Sequence, residues 1–160
     1  MCAAPLLNAR GGRVLDLCSA PGGKGTQLAQ YMAGDGIIYL NEINFRRAKI
    51  LSSNVERLGI KNAAGVCASP QTLALRAQGF FDKILVDAPC SGEGMFKKEP
   101  NAVAEWSEEN VKMCAARQSG ILDCAAQMLA EGGTLVYSAC TFAREEDEGQ
   151  IAAVSYTHLR

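Results

Sequence analysis

The sequence is short of the side chains on which several catalytic strategies depend. It holds one histidine, His158, near the C-terminus, so a Ser–His or Cys–His mechanism would have to rest on that residue. Its seven cysteines (2, 18, 67, 90, 114, 124 and 140) are odd in number and show no C-x-x-C spacing. That argues against both a disulfide framework and structural zinc. No apolar run approaches the roughly 20 residues of a membrane-spanning helix. There is no excess of one charge either: the net charge is −1, which gives no global field to draw in a polyanion. Any nucleic-acid partner must be met by local basic groups or by segments outside this stretch. The opening MCAAPLLNARGGR has no charged n-region followed by a long apolar core. A cytoplasmic protein with reduced thiols is the expectation.

What is present is a regular alternation. Short apolar runs read as buried parallel strands at Arg13–Cys18, Ile37–Asn41, Ala63–Cys67, Lys83–Val86 and Thr134–Ser138. Between them lie helical segments. Thr26–Met32 is short. Asn44–Leu58 carries Phe45, Ala48, Leu51, Val55 and Leu58 at spacings of three and four, with Gly59 placed to cap it. Leu73–Gln78 accounts for one or two turns. Ser107 is a suitable N-cap for a helix running to about Leu129, with Gly132-Gly133 ending it. Another helix starts near Glu145, and Ser91–Trp106 reads as a long connection. The alternation predicts an α/β fold with a doubly wound, mostly parallel sheet in a single domain.

Three loops after strands carry the chemistry. Cys18-Ser19-Ala20-Pro21-Gly22-Gly23-Lys24 follows the first strand, where glycines let a ligand approach the backbone and a helix offers free N–H groups. It is neither a P-loop nor G-x-G-x-x-G, which weakens phosphate and dinucleotide readings; a plain strand-to-helix turn is the bland alternative. Glu42 ends the second strand, where an acid can hold ribose hydroxyls. A ligand with a ribose and no demanding phosphate, such as S-adenosylmethionine, suits the pair. Asp87-Ala88-Pro89-Cys90 follows the fourth strand and Cys140 the fifth. Most free cysteines are small buried hydrophobes, and Cys67, Cys114 and Cys124 are expected to be so. Cys90 and Cys140 instead sit just past strand ends, where two thiols can share one pocket mouth.

The combination of VLDLCSAPGGK, DAPCSGEG and YSACTF followed by REEDEGQI resembles the Nop/Sun family of S-adenosylmethionine-dependent RNA cytosine-C5 methyltransferases, and within it the bacterial small-subunit ribosomal RNA type. The resemblance implies the Rossmann-like methyltransferase fold. It implies methylation of cytosine C5 in RNA, with ribosomal RNA favoured and transfer RNA open. It makes Cys140 the thiol that attacks the base, Cys90 the residue that resolves the adduct, and Asp87 the group facing cofactor and base. The cofactor site maps onto Cys18, Ser19, Ala20, Pro21, Gly22, Gly23, Lys24, Glu42 and Asp87, with Ser69 at the adenine position. Lys97, Lys98 and Arg144 are candidate phosphate contacts.

The sequence departs from the family pattern in places. Ser69 and Pro70 stand where an Asp is usual, Ala139 where Thr usually precedes the nucleophile, and Gly25 where Thr or Ser usually follows the lysine. Residues 1–152 are expected to be a partial catalytic domain that lacks its last strands, and 153–160 a tail foreign to the pattern. Two rival readings stand beside the main one: an S-adenosylmethionine enzyme acting on a non-RNA substrate, and an inactive cofactor- or RNA-binding fragment.

Overall fold

The computed structural model describes residues 3–98 and 100–157; Cys2 and His158 fall outside them. Five strands, β1 (Arg13–Asp16), β2 (Ile37–Asn41), β3 (Ala63–Val66), β4 (Phe81–Asp87) and β5 (Leu129–Ser138), form one sheet in the order β3-β2-β1-β4-β5. Every pairing is parallel. The expected α/β doubly wound sheet is thus what forms, with β5 at one edge.

Side chains alternate across a strand, so each strand feeds two cores. On one face Val14, Ile38, Leu40 and Leu85 pack with α1 (Gly23–Met32), α2 (Phe45–Arg57) and an N-terminal 3₁₀ turn at Ala4–Leu7. On the other, Leu15, Ile84 and Val86 pack with α3 (Pro70–Arg76), α5 (Glu108–Met128) and Val154 of α6 (Glu148–Thr157). A short helix, α4 (Pro100–Glu105), precedes α5. The chain winds outward from β1 through β2 to β3, then crosses to β4 on the far side of β1. That reversal leaves a crevice above the carboxyl ends of β1 and β4, the place where open sheets bind ligands.

Element boundaries differ from expectation for local reasons. α1 starts at Gly23 rather than Thr26, because Gly22 turns the chain at φ +114° and Thr26 donates back to Gly22 O at 2.7 Å. α2 starts one residue later than expected, with Asn44 as its N-cap accepting from the Arg46 and Arg47 N–H groups, and Gly59 follows its end at φ +64°, as expected. Of its five-residue apolar stripe only Leu51 is fully buried; Phe45 is 64% exposed, with the Lys49 ammonium over its ring. α3 begins at Pro70, not Leu73: Ser69 caps it, and proline loses nothing in a first turn whose N–H groups are unpaired anyway. The Ser91–Trp106 connection is not wholly irregular, since it contains a 3₁₀ turn at Glu93–Met95 as well as α4. β5 begins directly after α5 and runs through Gly132-Gly133, where its pairing with β4 slips. The glycines therefore sit at an irregularity within the strand rather than before it. Cys114 and Cys124 are buried as expected, but Cys67 is exposed.

Leu85 is fully buried at the centre of the sheet. Leu85→Ala is expected to cost about 2–5 kcal/mol, because neighbouring strands prevent the cavity from collapsing. Urea unfolding measures it, and a loss under about 1 kcal/mol would contradict this packing.

Candidate active site

β1 ends in Asp16, which is fully buried. Its Oδ2 accepts a hydrogen bond from Ser19 Oγ at 2.9 Å, while its Oδ1 has no partner. Burial pushes its pKa up to about 7, against the opposing bond from Ser19. The first turn of α1 presses on this carboxylate: a Cβ at Gly25 would stand 2.5 Å from Leu40 Cδ2, 2.6 Å from Ser19 Oγ and 2.8 Å from Asp16 Oδ2. Gly25 is thus suited to a close approach. Asp16 lines a cleft of about 300 Å³ with Cys18, Ser19, Ala20, Pro21, Gly23, Lys24 and Asp87. Gly22 stays behind the loop, where a side chain would meet Leu51 at 2.9 Å.

A second cleft, of about 480 Å³, opens on the other side of Cys18, Ala20 and Asp87, and Glu42 lines it. Glu42 is only 3% exposed, so it is not a solvated loop acid. Its Oε1 accepts from the Asn44 N–H at 2.8 Å, and its Oε2 lies 3.3 Å from the Arg47 guanidinium. Arg47 also donates to Ala20 O at 2.7 Å, tying the first loop to α2. Asn41 staples three strand ends, donating to Leu17 O and Ala68 O and accepting from the Ala68 N–H. Cys18 sits between the clefts, its thiol pushed up to about 12 by burial and the surrounding carboxylates, so it is a neutral wall. Ser69 is not brought to either cleft: its hydroxyl accepts from the Thr72 N–H as the cap of α3, and Pro70 and Gln71 line the larger cleft instead.

Asp87 faces both clefts. Its Oδ2 accepts from Lys24 Nζ at 2.6 Å and its Oδ1 from Ser138 Oγ at 2.7 Å. Lys24 thus pairs with the end of β4 instead of standing free in its loop. In-register pairing of β4 with β5 sets Asp87 opposite Ser138, and Ala88 N donates to Ser138 O at 2.9 Å. The loops leaving these strands therefore start side by side, and the Cys90 and Cys140 sulfurs lie 3.1 Å apart. The Cys140 N–H donates to Cys90 Sγ at 3.3 Å. Further bonds sew the loops together, from Gly94 N to Cys140 O at 2.9 Å and from Phe142 N to Glu93 Oε2 at 2.8 Å.

The two thiols are driven apart electrostatically. A hydrogen bond from the Cys90 thiol lowers Cys140 to about 6, against desolvation, with Asp87 opposing and Lys24 assisting. Cys90, as the donor to that sulfur, is pushed up. The favourable cation is Lys24. Lys97, Lys98 and Arg144 are exposed. Among the described residues, no three His, Cys, Asp or Glu side chains gather as metal ligands. Nor is any helix long and apolar enough to cross a membrane.

Sequence reading missed Asp16, Asn41, Gln71 and the buried Glu146. For Asp16 a signal existed: a carboxylate among the apolar residues Val14, Leu15 and Leu17.

This arrangement has counterparts among known proteins. Ribosomal RNA small subunit methyltransferase F of Escherichia coli strain HS is 45% identical over 136 residues, which is 85% of this chain and 28% of that protein. The chain thus spans little more than a quarter of the length of the curated relatives it matches. The crystal structure of NSun6 from Pyrococcus horikoshii with SFG aligns at a TM-score of 0.88 and 32% identity, over 96% of this chain and 39% of that one. A methyltransferase homolog protein from Pyrococcus horikoshii aligns at 0.83 and 33%, over 97% of this chain and 48% of that one. The family model described as 16S rRNA methyltransferase RsmB/F matches residues 3–159, nearly the whole chain, and the chain belongs to that family.

Proposed function

We propose that this chain is the core of an enzyme that transfers a methyl group from S-adenosylmethionine to C5 of cytosine in RNA, with ribosomal RNA as the favoured substrate. The observation that carries the reading is the contact between Cys90 and Cys140 at adjacent strand ends, beside an acid that faces both clefts. A rival substrate outside RNA would leave this thiol pair unemployed.

The clefts suit the cofactor. Asp16, a buried carboxylate with one unpartnered oxygen, lines the smaller cleft and suits the ammonium of an amino-acid moiety. Glu42, a buried acceptor on the larger cleft, matches ribose hydroxyls. When bound, S-adenosylmethionine supplies an electrophilic sulfonium methyl.

The chain's own groups then solve the chemical problem of the base. Cytosine C5 is a weak nucleophile. Addition of the Cys140 thiolate to C6 forms an S–C6 bond and moves the C5=C6 electron pair toward C5 and, through C4, to N3, which makes C5 reactive. Asp87, held by Lys24 and Ser138, assists at N3 as charge develops. Once Cys140 is bound to carbon it no longer carries the charge that holds the Cys90 proton. After C5 has taken the methyl group, Cys90 gives its own proton to solvent and, as a thiolate, takes the C5 proton; the C5=C6 bond re-forms and Cys140 leaves as thiolate. The base must be unstacked or single-stranded to reach the thiols. Exposed Lys97, Lys98 and Arg144 suit backbone phosphates.

Two outcomes test this. With RNA carrying 5-fluorocytosine, which blocks the last step, a covalent complex is expected by mass spectrometry. It should be abolished by Cys140→Ala; on ordinary RNA, Cys90→Ala should instead accumulate the adduct. The reverse pattern would exchange the roles of the thiols. Asp16→Asn is expected to weaken cofactor binding by about 10–100-fold, the loss of one charge-assisted hydrogen bond. Because the free carboxyl titrates near 7 and the ammonium favours its ionised form, wild-type binding should tighten from pH 6 to pH 8. Calorimetric titration reads both; a flat pH profile would remove Asp16 from the cofactor site.

A further inference from the structure

Glu146 lies in a 3₁₀ turn at Arg144–Glu146 and is completely buried, although it touches neither cleft. A carboxylate in such a place is costly unless its oxygens are satisfied. They are satisfied by the two thiol loops. Oε2 accepts from the Ser91 N–H at 3.0 Å and from Gln118 Nε2 at 2.8 Å. Oε1 accepts from Thr141 Oγ1 at 3.2 Å and is a second, longer acceptor for Ser91 N at 3.3 Å. Ser91 directly follows Cys90, and Thr141 directly follows Cys140. One side chain therefore holds the residue next to each thiol.

The anchor is itself anchored. Gln118, buried on α5, also donates to Pro89 O at 3.0 Å, just before Cys90. The Tyr137 hydroxyl, near the end of β5, donates to the Glu146 carbonyl at 2.6 Å. Ser91 Oγ and Thr141 Oγ1 meet directly at 3.2 Å. The carboxylate accepts from backbone and side-chain donors on both loops and on α5.

We propose that Glu146 is a positioning residue that sets the distance between Cys90 and Cys140, and so maintains the hydrogen bond that couples the two thiols. The proposal rests on the reading of the thiol pair as the reacting groups. It follows from direction as much as from distance. An ionised carboxylate only accepts, so it orders donors from both loops around itself. A hydrogen bond between two sulfurs weakens steeply if either loop shifts. The charged groups that act on Cys140 are Asp87, against the thiolate, and Lys24, in its favour. Glu146 acts through Ser91 and Thr141, and its own charge is felt by Cys114 and Tyr137.

The test uses this chain without RNA or cofactor. Alkylation of each cysteine by iodoacetamide is followed by peptide mass spectrometry from pH 5 to pH 9.5. In the wild type, Cys140 should react with a midpoint near 6 and Cys90 should lag throughout. In Glu146→Ala the Cys140 midpoint should move toward the ordinary thiol range, cutting its rate at pH 7 by about tenfold or more. Should the alanine variant not fold, Glu146→Gln replaces it in the same measurement. It keeps the size and one acceptor oxygen, and its midpoint should rise by about half a unit or more as one oxygen becomes a donor. A folded variant with the wild-type Cys140 profile would overturn the positioning role alone. A wild-type Cys140 that reacts no faster than Cys90 would overturn the thiol-pair reading and this proposal with it.

Discussion

The structure turns on the parallel, in-register pairing of β4 with β5. That ladder sets Asp87 opposite Ser138 and launches two loops from neighbouring strand ends in one direction. Parallel strands need not start together in sequence, and these are separated by the whole of α4 and α5. Adjacency in space brings Cys90 within 3.1 Å of Cys140 despite their separation of fifty positions in sequence. An antiparallel edge strand would send its loop to the opposite end of the sheet. The slip at Gly132-Gly133 lies at the far, amino end of the pairing, so it does not disturb the register near the site.

Three buried carboxylates surround this frame, and their differing satisfaction separates scaffold from site. Glu146 receives donors from both thiol loops and from α5, and serves to hold them. Glu42 has one backbone donor and a partly exposed arginine, and keeps acceptor capacity toward the larger cleft. Asp16 has one oxygen bonded and one bare, at a pKa near neutrality. Burying a polar atom without a partner is unfavourable by about 1–3 kcal/mol, which is retained at Asp16 without benefit to the fold alone. A cationic ligand turns that cost into affinity.

Strands were legible because both faces of the sheet are covered: VLDL, IIYL and KILV are apolar runs that no exposed strand would need. Loop ends were legible where glycine or proline marked them. Helix starts were less so. Ser69-Pro70 reads in the sequence only as a departure within a binding loop, with the helix placed from Leu73; Ser69 is in fact the cap of α3, accepting from the Thr72 N–H, and Pro70 its first residue. Cys67 and Phe45 fit apolar positions in pattern, yet the edge of the sheet leaves them exposed, since periodicity gives a direction and not a depth. Glu146 was hidden within REEDE, four acids in a five-residue stretch, where charge alone suggests a solvated surface. Only tertiary packing distinguishes it from its exposed neighbours Glu145 and Asp147.

The division of labour proposed for the thiols draws on this same packing as well as on the resemblance that assigns Cys140 the attack. Both are cysteines past strand ends, and residue type alone does not separate them. Cys140 is the more exposed, lies where Lys24 assists ionisation, and accepts from Cys90. Cys90 is half-buried, accepts the Cys140 N–H and keeps its proton for its partner. Only one thiol of a contacting pair can ionise readily, because a second negative charge at 3.1 Å would be strongly opposed. The first ionisation therefore creates the distinction between acceptor and donor; Lys24 and greater exposure favour Cys140, against the backbone N–H groups that donate to Cys90. In the proposed mechanism, bonding of Cys140 to carbon removes its charge and with it the reason for Cys90 to hold its proton. The pair would then act as a relay in which the first chemical step prepares the base for the last.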